Sequence, residues 1–229
     1  RYRVMQDLTS KAAQIRLVIF DVDGVLTDGS LYLGDDGQEY KAFNSKDGHG
    51  LRMLLECGLQ AAIITGRRSS LVEHRMRDLG IEIVFQGYRD KRPAFAELIE
   101  QTGLQPQQVA YMGDDVVDLP IMTQVGMAIA VNDAHPFVLQ HADYVTEKAG
   151  GCGAAREAIE FVLQAQGLLH RWENVHRGIK VTRPTATKVH AGCGQFQVGQ
   201  GNRAAGQAHL IIFRGMGNHQ HRSATQHHI

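Results

Sequence analysis

The chain has 229 residues, 43% of them hydrophobic, with 24 basic and 24 acidic side chains. That length can bury a substantial core, in one domain of about 150 to 200 residues by default, and no run reaches the roughly 18 apolar residues a membrane-spanning helix needs. Three cysteines, Cys57, Cys152 and Cys193, are odd in number and far apart, which suits reduced thiols better than a disulfide framework; with nothing resembling a signal peptide near the first residue, a soluble cytoplasmic protein is expected.

In chain order, the first element is a short aliphatic strand over 17–20 that runs straight into "DVDG". Next comes "SLYLGDDGQEYKAFN", two short strands around an Asp-Gly turn, which reads as a β-hairpin. It would project from the carboxyl edge of strand one as a flap over a site or an oligomer contact, with an ordinary surface hairpin as the plainer alternative. From there aliphatic runs at 61–64, 83–85, 109–112, 128–131 and 144–146 alternate with helical stretches at 48–57, 69–79, 92–102, 116–124 and 154–166. Strands without polar alternation, separated by helices, imply a parallel sheet covered on both faces. The expected fold is therefore α/β, a doubly wound parallel sheet with a hairpin flap after the first strand.

All strands of such a sheet point the same way, so residues just past their ends gather on one edge. Strand one delivers Asp21 and Asp23; "IITGRR" delivers Thr65, Gly66 and Arg67; "YMGDDVVD" delivers Asp114, Asp115 and, one turn later, Asp118; Lys91 opens the helix after the third core strand. Singly each has a plain reading, Asp115 as a helix cap, Thr65 as a turn residue, Lys91 as a solvated lysine. Jointly they define a site. Carboxylates within about 4 to 6 Å of one another repel by several kcal/mol per pair at an effective dielectric near 20, so they imply a cation. Oxygen donors without nearby Cys or His select Mg²⁺ over zinc. Such an ion beside a Thr hydroxyl, a Lys ammonium and a glycine turn can hold a phosphoryl group. Asp21 would attack phosphorus, Asp23 would serve as acid and then base, and Asp114 would complete the metal site with Asp21 and the backbone carbonyl of Asp23. Asp115 and Asp118 would support those ligands from behind, while Thr65 and Lys91 grip the transferring oxygens.

The ordered series "DVDG", "ITGR", Lys91 and "GDDVVD" resembles the four motifs of the haloacid dehalogenase superfamily of phosphohydrolases. With the hairpin, "FNSKDGHG", "VNDAHP" and "ADYVT…GGCGAARE", residues 15 to about 167 resemble its capless subclass of 3-deoxy-D-manno-octulosonate 8-phosphate phosphatases. The resemblance implies a Mg²⁺-dependent hydrolase of a sugar acid phosphate in lipopolysaccharide precursor synthesis, without a large cap. It implies a homotetramer whose hairpins pair in a central barrel while a neighbour helps to cover each site. It also implies a substrate pocket of Asn44, Ser45, Lys46, Asp47, Gly48, Arg52, Arg67, Arg75 and Lys91, joined by Asp23 and Gly66, with arginines suited to a carboxylate. Solvated helix faces are the plain reading of Arg52 and Arg75. "FNSKDG" stands where "FNVRDG" is expected, Cys152 where a basic residue is common, and the family's C-terminal segment is not recognisable after about Trp172. A phosphatase for a nine-carbon sugar acid phosphate and a non-catalytic oligomerisation module are the rival readings. The module is disfavoured because Asp21 and Lys91 are both present; a receiver domain is disfavoured because its phosphorylated Asp ends the third strand of the sheet, not the first.

The expected domain spans 1–175, with its core at 15–167. Residues 176–229 hold no acid but seven Lys/Arg, seven His and eight Gly, so the net charge of zero divides into about −7 before the tail and +7 within it. With little to pack, the tail reads as disordered or non-native; an oligomer-contacting arm is the alternative. Neither nucleic acid nor membrane is expected as a partner.

Overall fold

A computed structural model describes residues 2–178. The expectation for 176–229 therefore lies, from residue 179 on, outside the described residues. The order of elements is α1 (Tyr2–Gln14), β1 (Leu17–Phe20), β2 (Tyr32–Leu33), β3 (Glu39–Tyr40), α2 (Ser45–Glu56), β4 (Gln60–Thr65), α3 (Ser70–Leu79), β5 (Ile83–Gln86), α4 (Arg92–Thr102), a 3₁₀ turn at Pro106–Gln108, β6 (Val109–Gly113), α5 (Leu119–Met122), β7 (Met127–Ala130), α6 (Pro136–Leu139), β8 (Tyr144–Val145), α7 (Ala154–Ala165) and α8 (Leu168–His176). Among the described residues no helix is long and apolar enough to cross a membrane.

Six strands form one sheet in the order β5-β4-β1-β6-β7-β8, every pairing parallel. The doubly wound expectation holds. Central strands read as continuous apolar runs because helices cover both faces: all four residues of β1 and all five of β6 are buried. After β5 the chain returns past β1 to lay down β6, so the winding reverses between β1 and β6. The carboxyl edge at that reversal is where such sheets open a crevice.

The register sets what meets there. Phe20 lies level with Ile63 of β4 and Met112 of β6, and the Asp21 amide donates to the Met112 carbonyl at 3.0 Å. One residue later on each side, Asp21 faces the end of β6, where Asp114 begins, and the end of β4, where Thr65 stands.

The hairpin is as expected, β2 pairing antiparallel with β3. Its turn is closed by the Gly34 amide donating to the Gln38 carbonyl at 2.8 Å, with Gly37 at φ +79°, a left-handed conformation that glycine adopts without a steric penalty. Leu31, Tyr32, Leu33 and Tyr40 leave it exposed.

The expected helix over 116–124 shortens to α5. The reason is Asp118, whose Oδ2 accepts the amides of Asp114 and Asp115 at 3.0 and 3.2 Å; residues 114–118 therefore close as a turn, and helix begins only after it, with Pro120 in its first turn. Two further helices, α1 and α8, flank the core motifs. Gln166 ties α1 to the end of α7, its Nε2 donating to the carbonyls of Ala12 and Ile15 at 3.1 and 2.8 Å.

Candidate active site

The strand ends build a buried charge cluster. Asp21, 6% exposed, accepts the Val22 amide at Oδ1 over 2.7 Å and pairs through Oδ2 with the Lys91 ammonium at 2.8 Å. Lys91 enters from the start of α4 and is 2% exposed. Its Nζ also donates to Asp118 Oδ1 at 2.7 Å and to the Tyr111 hydroxyl at 3.1 Å, and that hydroxyl donates to the same Asp118 oxygen at 2.6 Å. Asp118 is wholly buried, and both its oxygens are occupied. It therefore holds Lys91 in place and folds the Asp114–Asp115 turn. Burial works against the Lys91 charge, but Asp21 and Asp118 outweigh it and raise its pKa above the ordinary value. Tyr111, buried and beside two acids, is driven upward and stays protonated.

Asp114 has a different environment. Its backbone carbonyl accepts the His135 amide at 2.8 Å, but its side-chain Oδ1 is buried with no hydrogen-bond partner. Burial first, then Asp21 and Asp118, push its pKa from 3.8 up to about 8; Asp21 is pushed to about 6 by burial, against the pull of Lys91. Oxygens of Asp21, Asp114 and Asp118 lie within 4.8 Å of one another. An orphan buried carboxylate oxygen facing a second acid, all donors oxygen, fits a small hard divalent cation. With Asp118 occupied elsewhere, Asp21 and Asp114 are the side chains that would hold it.

Glycines make the loops close enough. A Cβ on Gly24, at φ +88°, would sit 2.1 Å from Asp114 Oδ2, and one on Gly150 would sit 1.8 Å from the Gly24 carbonyl oxygen. The "GG" stretch thus packs onto the turn of "DVDG". Thr27 shapes that turn, its Oγ1 accepting the Gly24 and Gly29 amides at 3.4 and 3.2 Å.

Beside this cluster a cleft of about 340 Å³ is lined by Asp21, Asp23, Thr65, Gly66, Arg67, Arg89, Lys91 and Val117. Of the expected site residues, Asp21, Asp23, Thr65, Gly66, Arg67 and Lys91 therefore converge, with Asp114 and Asp118 behind them. Asp115, exposed, turns its Oδ1 to the Val116 amide at 2.7 Å, as a turn residue does.

The start of α2 behaves differently. Asn44 caps α2 by accepting the Lys46 amide at 2.8 Å and donates to the Gly151 carbonyl at 3.0 Å. Asp47, 2% exposed, accepts the amides of Gly153 and Arg156 at 3.1 and 2.9 Å, so it caps α7. Burial raises its pKa. Ser45, Lys46 and Arg52 are exposed, and Arg75 lies over Gly48, where a Cβ would be 2.1 Å from its Nη2. None of these residues lines the cleft around Asp21. A second hollow of about 380 Å³ lies between α2 and α8 around Trp172, away from this cluster.

Sequence reasoning named Asp23 and Arg67 but missed Lys41 and Glu39, which complete a ring of four charges at the mouth. Asp23 pairs closely with Lys41, whose side chain is only 1% exposed, and at 3.8 Å with Arg67. Glu39, from β3, pairs with the same two cations, at 3.0 Å to Lys41 and 3.0 Å to Arg67. Lys41 foremost, with Arg67, lowers the Glu39 pKa. The hairpin so reaches the carboxyl edge of the sheet. Tyr111 was missed too, although a single hydroxyl in the buried strand "VAYMG" is a signal, since such groups are buried only with a partner.

The fold and the acid-lysine cluster define a haloacid dehalogenase-like hydrolase, and the model of that family matches residues 81–157. The chain is 51% identical over 166 residues to the 3-deoxy-D-manno-octulosonate 8-phosphate phosphatase of Escherichia coli K12, covering 72% of this chain and 88% of the relative. The crystal structure of the Yersinia pestis phosphatase of that name superimposes with a TM-score of 0.71 at 51% identity, over 72% of this chain and 89% of that one. The Moraxella catarrhalis phosphatase, solved with magnesium, phosphate and KDO, gives 0.74 at 38% identity over 75% and 99%. The chain belongs to the family of 3-deoxy-D-manno-octulosonate 8-phosphate phosphatases, and it is a phosphoric monoester hydrolase.

Proposed function

We propose that this chain, working with Mg²⁺, hydrolyses 3-deoxy-D-manno-octulosonate 8-phosphate to the free sugar acid and inorganic phosphate, a cytoplasmic step in making lipopolysaccharide precursors. One observation carries the reading: carboxylate oxygens of Asp21 and Asp114 lie within 4.8 Å of each other at the reversal point of the sheet, Asp114 Oδ1 has no partner, and Lys91 holds Asp21 while Asp118 holds Lys91 and the Asp114 amide.

An Asp21 carboxylate oxygen attacks phosphorus in line. As that bond forms, the bond from phosphorus to the sugar oxygen breaks, its electron pair stays on the sugar oxygen, and Asp23 supplies the proton. Asp23, now a carboxylate, takes a proton from water; the resulting hydroxide attacks phosphorus, the bond to Asp21 breaks, and phosphate leaves. Thr65 and Lys91 hold the transferring oxygens, and Lys91 also favours the ionised form of Asp21. Asp21 and Asp114 would hold Mg²⁺, which supplies the positive charge that neutralises the phosphoryl oxygens.

A homotetramer is proposed with it, supported by the exposed Leu31, Tyr32, Leu33 and Tyr40 of the hairpin, apolar surface that a second copy would cover. Phosphate release from a panel of sugar acid phosphates with Mg²⁺ tests the activity. Release from the parent no greater than from Asp21→Asn would sink the reading.

A further inference from the structure

A sugar acid phosphate carries two anionic ends, and the cluster around Asp21 deals with only one. The carboxylate needs its own cation. Arginine is the fitting partner, since its planar fork meets a carboxylate through two hydrogen bonds. The expected grips are not free for it. Arg67 is shared between Glu39 and Asp23, Lys41 sits between the same two acids, and Lys91 lies between Asp21 and Asp118. Arg52 and Arg75 are not among the residues lining the cleft.

Arg89 is different. It belongs to the loop between β5 and α4, which the amides of Gly87 and Tyr88 anchor by donating to the Thr65 carbonyl at 3.0 and 3.2 Å. Its side chain lines the cleft beside Thr65, Arg67 and Lys91 and is exposed. The adjacent acid, Asp90, is occupied by Arg92 in a two-pronged pair of 2.9 and 2.8 Å, so Arg89 has no acidic partner among the described residues. Among the described residues it is the lining cation with no carboxylate paired to it.

The geometry points to Arg89, on the wall of the cleft that Asp21 and Lys91 also line, as the specificity residue that binds the substrate's carboxylate. This rests on the proposed sugar acid substrate and names the group that selects it. In the reaction Arg89 transfers nothing; it orients the leaving group and rejects phosphate esters that lack an acid.

The test compares Arg89→Gln and Arg89→Lys with the parent. Steady-state kinetics use 3-deoxy-D-manno-octulosonate 8-phosphate and an uncharged hexose 6-phosphate; calorimetry measures binding of free 3-deoxy-D-manno-octulosonate. Arg89→Gln should lower the kcat/KM preference for the acid substrate at least about tenfold, equivalent to roughly 1.4 kcal/mol. The loss should reside in KM, and the free sugar acid should bind at least about tenfold more weakly. Arg89→Lys should recover part of both, keeping the charge but not the fork. An unchanged preference, equal losses on the two substrates, or loss of discrimination in Arg67→Gln and not in Arg89→Gln would overturn the assignment. If the parent releases no phosphate from any ester, the proposed activity fails, and the calorimetric comparison still decides for or against Arg89.

Discussion

Replacing Asp114 by Asn should stabilise the metal-stripped protein at alkaline pH. Asp114 is pushed from 3.8 to about 8 by burial and by Asp21 and Asp118, so the folded chain holds its proton over a range in which the unfolded chain has released it. The stability contributed by that proton is complete below about pH 4 and drains away as pH rises to about 8. The whole span would amount to roughly 5 kcal/mol at 1.36 kcal/mol per pH unit. Residual solvent contact and side-chain movement reduce this, and roughly 2–3 kcal/mol is the working figure. For a chain of this size that corresponds to about 5–10 °C in Tm. Asp21, raised only to about 6, adds a slope that ends near pH 6, so the window from 6 to 8 reports Asp114. Scanning calorimetry in excess chelator from pH 5 to 9 should therefore show the parent losing Tm through that window while Asp114→Asn stays level and overtakes it. Mg²⁺ should restore the parent at pH 8 and not the variant. A parent as stable at pH 8.5 as at 5.5 without metal, or an equal slope in Asp114→Asn, would refute the account of a buried, unpaired carboxylate.

Lys91→Met should abolish turnover and cost about 3–5 kcal/mol in denaturant unfolding, because Asp21 and Asp118 lose their shared cation inside the protein; a variant as stable as the parent would contradict that pairing. Tyr111→Phe should cost about 1 kcal/mol, the worth of one buried hydroxyl bridging Lys91 and Asp118. Phosphate release there should fall less than in Lys91→Met, and an equal fall would make the hydroxyl as important as the ammonium. Gly150→Ala should cost about 1–3 kcal/mol by overpacking against the Gly24 carbonyl, and it should weaken Mg²⁺ binding as the Gly24 turn that packs on Asp114 shifts; unaltered affinity would show that the two loops are independent.

Much of this site was legible because parallel strands turn sequence position into spatial position. Each aliphatic run fixed a strand, and the residue just past each run had to lie on one edge, so Asp21, Thr65 and Asp114 could be brought together before any coordinate was known. Lys91 was legible for a similar reason, as the first residue of a helix leaving that edge. The limits of α5 were not, since a short stretch with apolar spacing looks helical until Asp118 turns back to accept the amides of Asp114 and Asp115. Asp47 was equally opaque. It sits in the first turn of α2 after the capping Asn44, and only the tertiary approach of α7 decides that its carboxylate caps that helix and does not face a ligand. A sequence period reports which side of an element is buried, but not which donors arrive there from an element more than a hundred residues away.

The charge ring at the mouth carries the same lesson into function. Asp23 lies two residues beyond a buried strand and could have been left pointing into water. Its partners instead are Lys41 just after β3, 1% exposed, and Arg67 just after β4, with Glu39 of β3 bracing both. A buried ammonium is tolerated only when compensated, so the hairpin cannot swing away without stranding Lys41 or dragging Asp23 with it. The hairpin and Asp23 are therefore tied together as one electrostatic unit. An apolar hairpin face that docks on another copy would, by fixing β3, also fix Asp23, the carboxylate proposed to protonate the leaving group, linking assembly to turnover through four named charges.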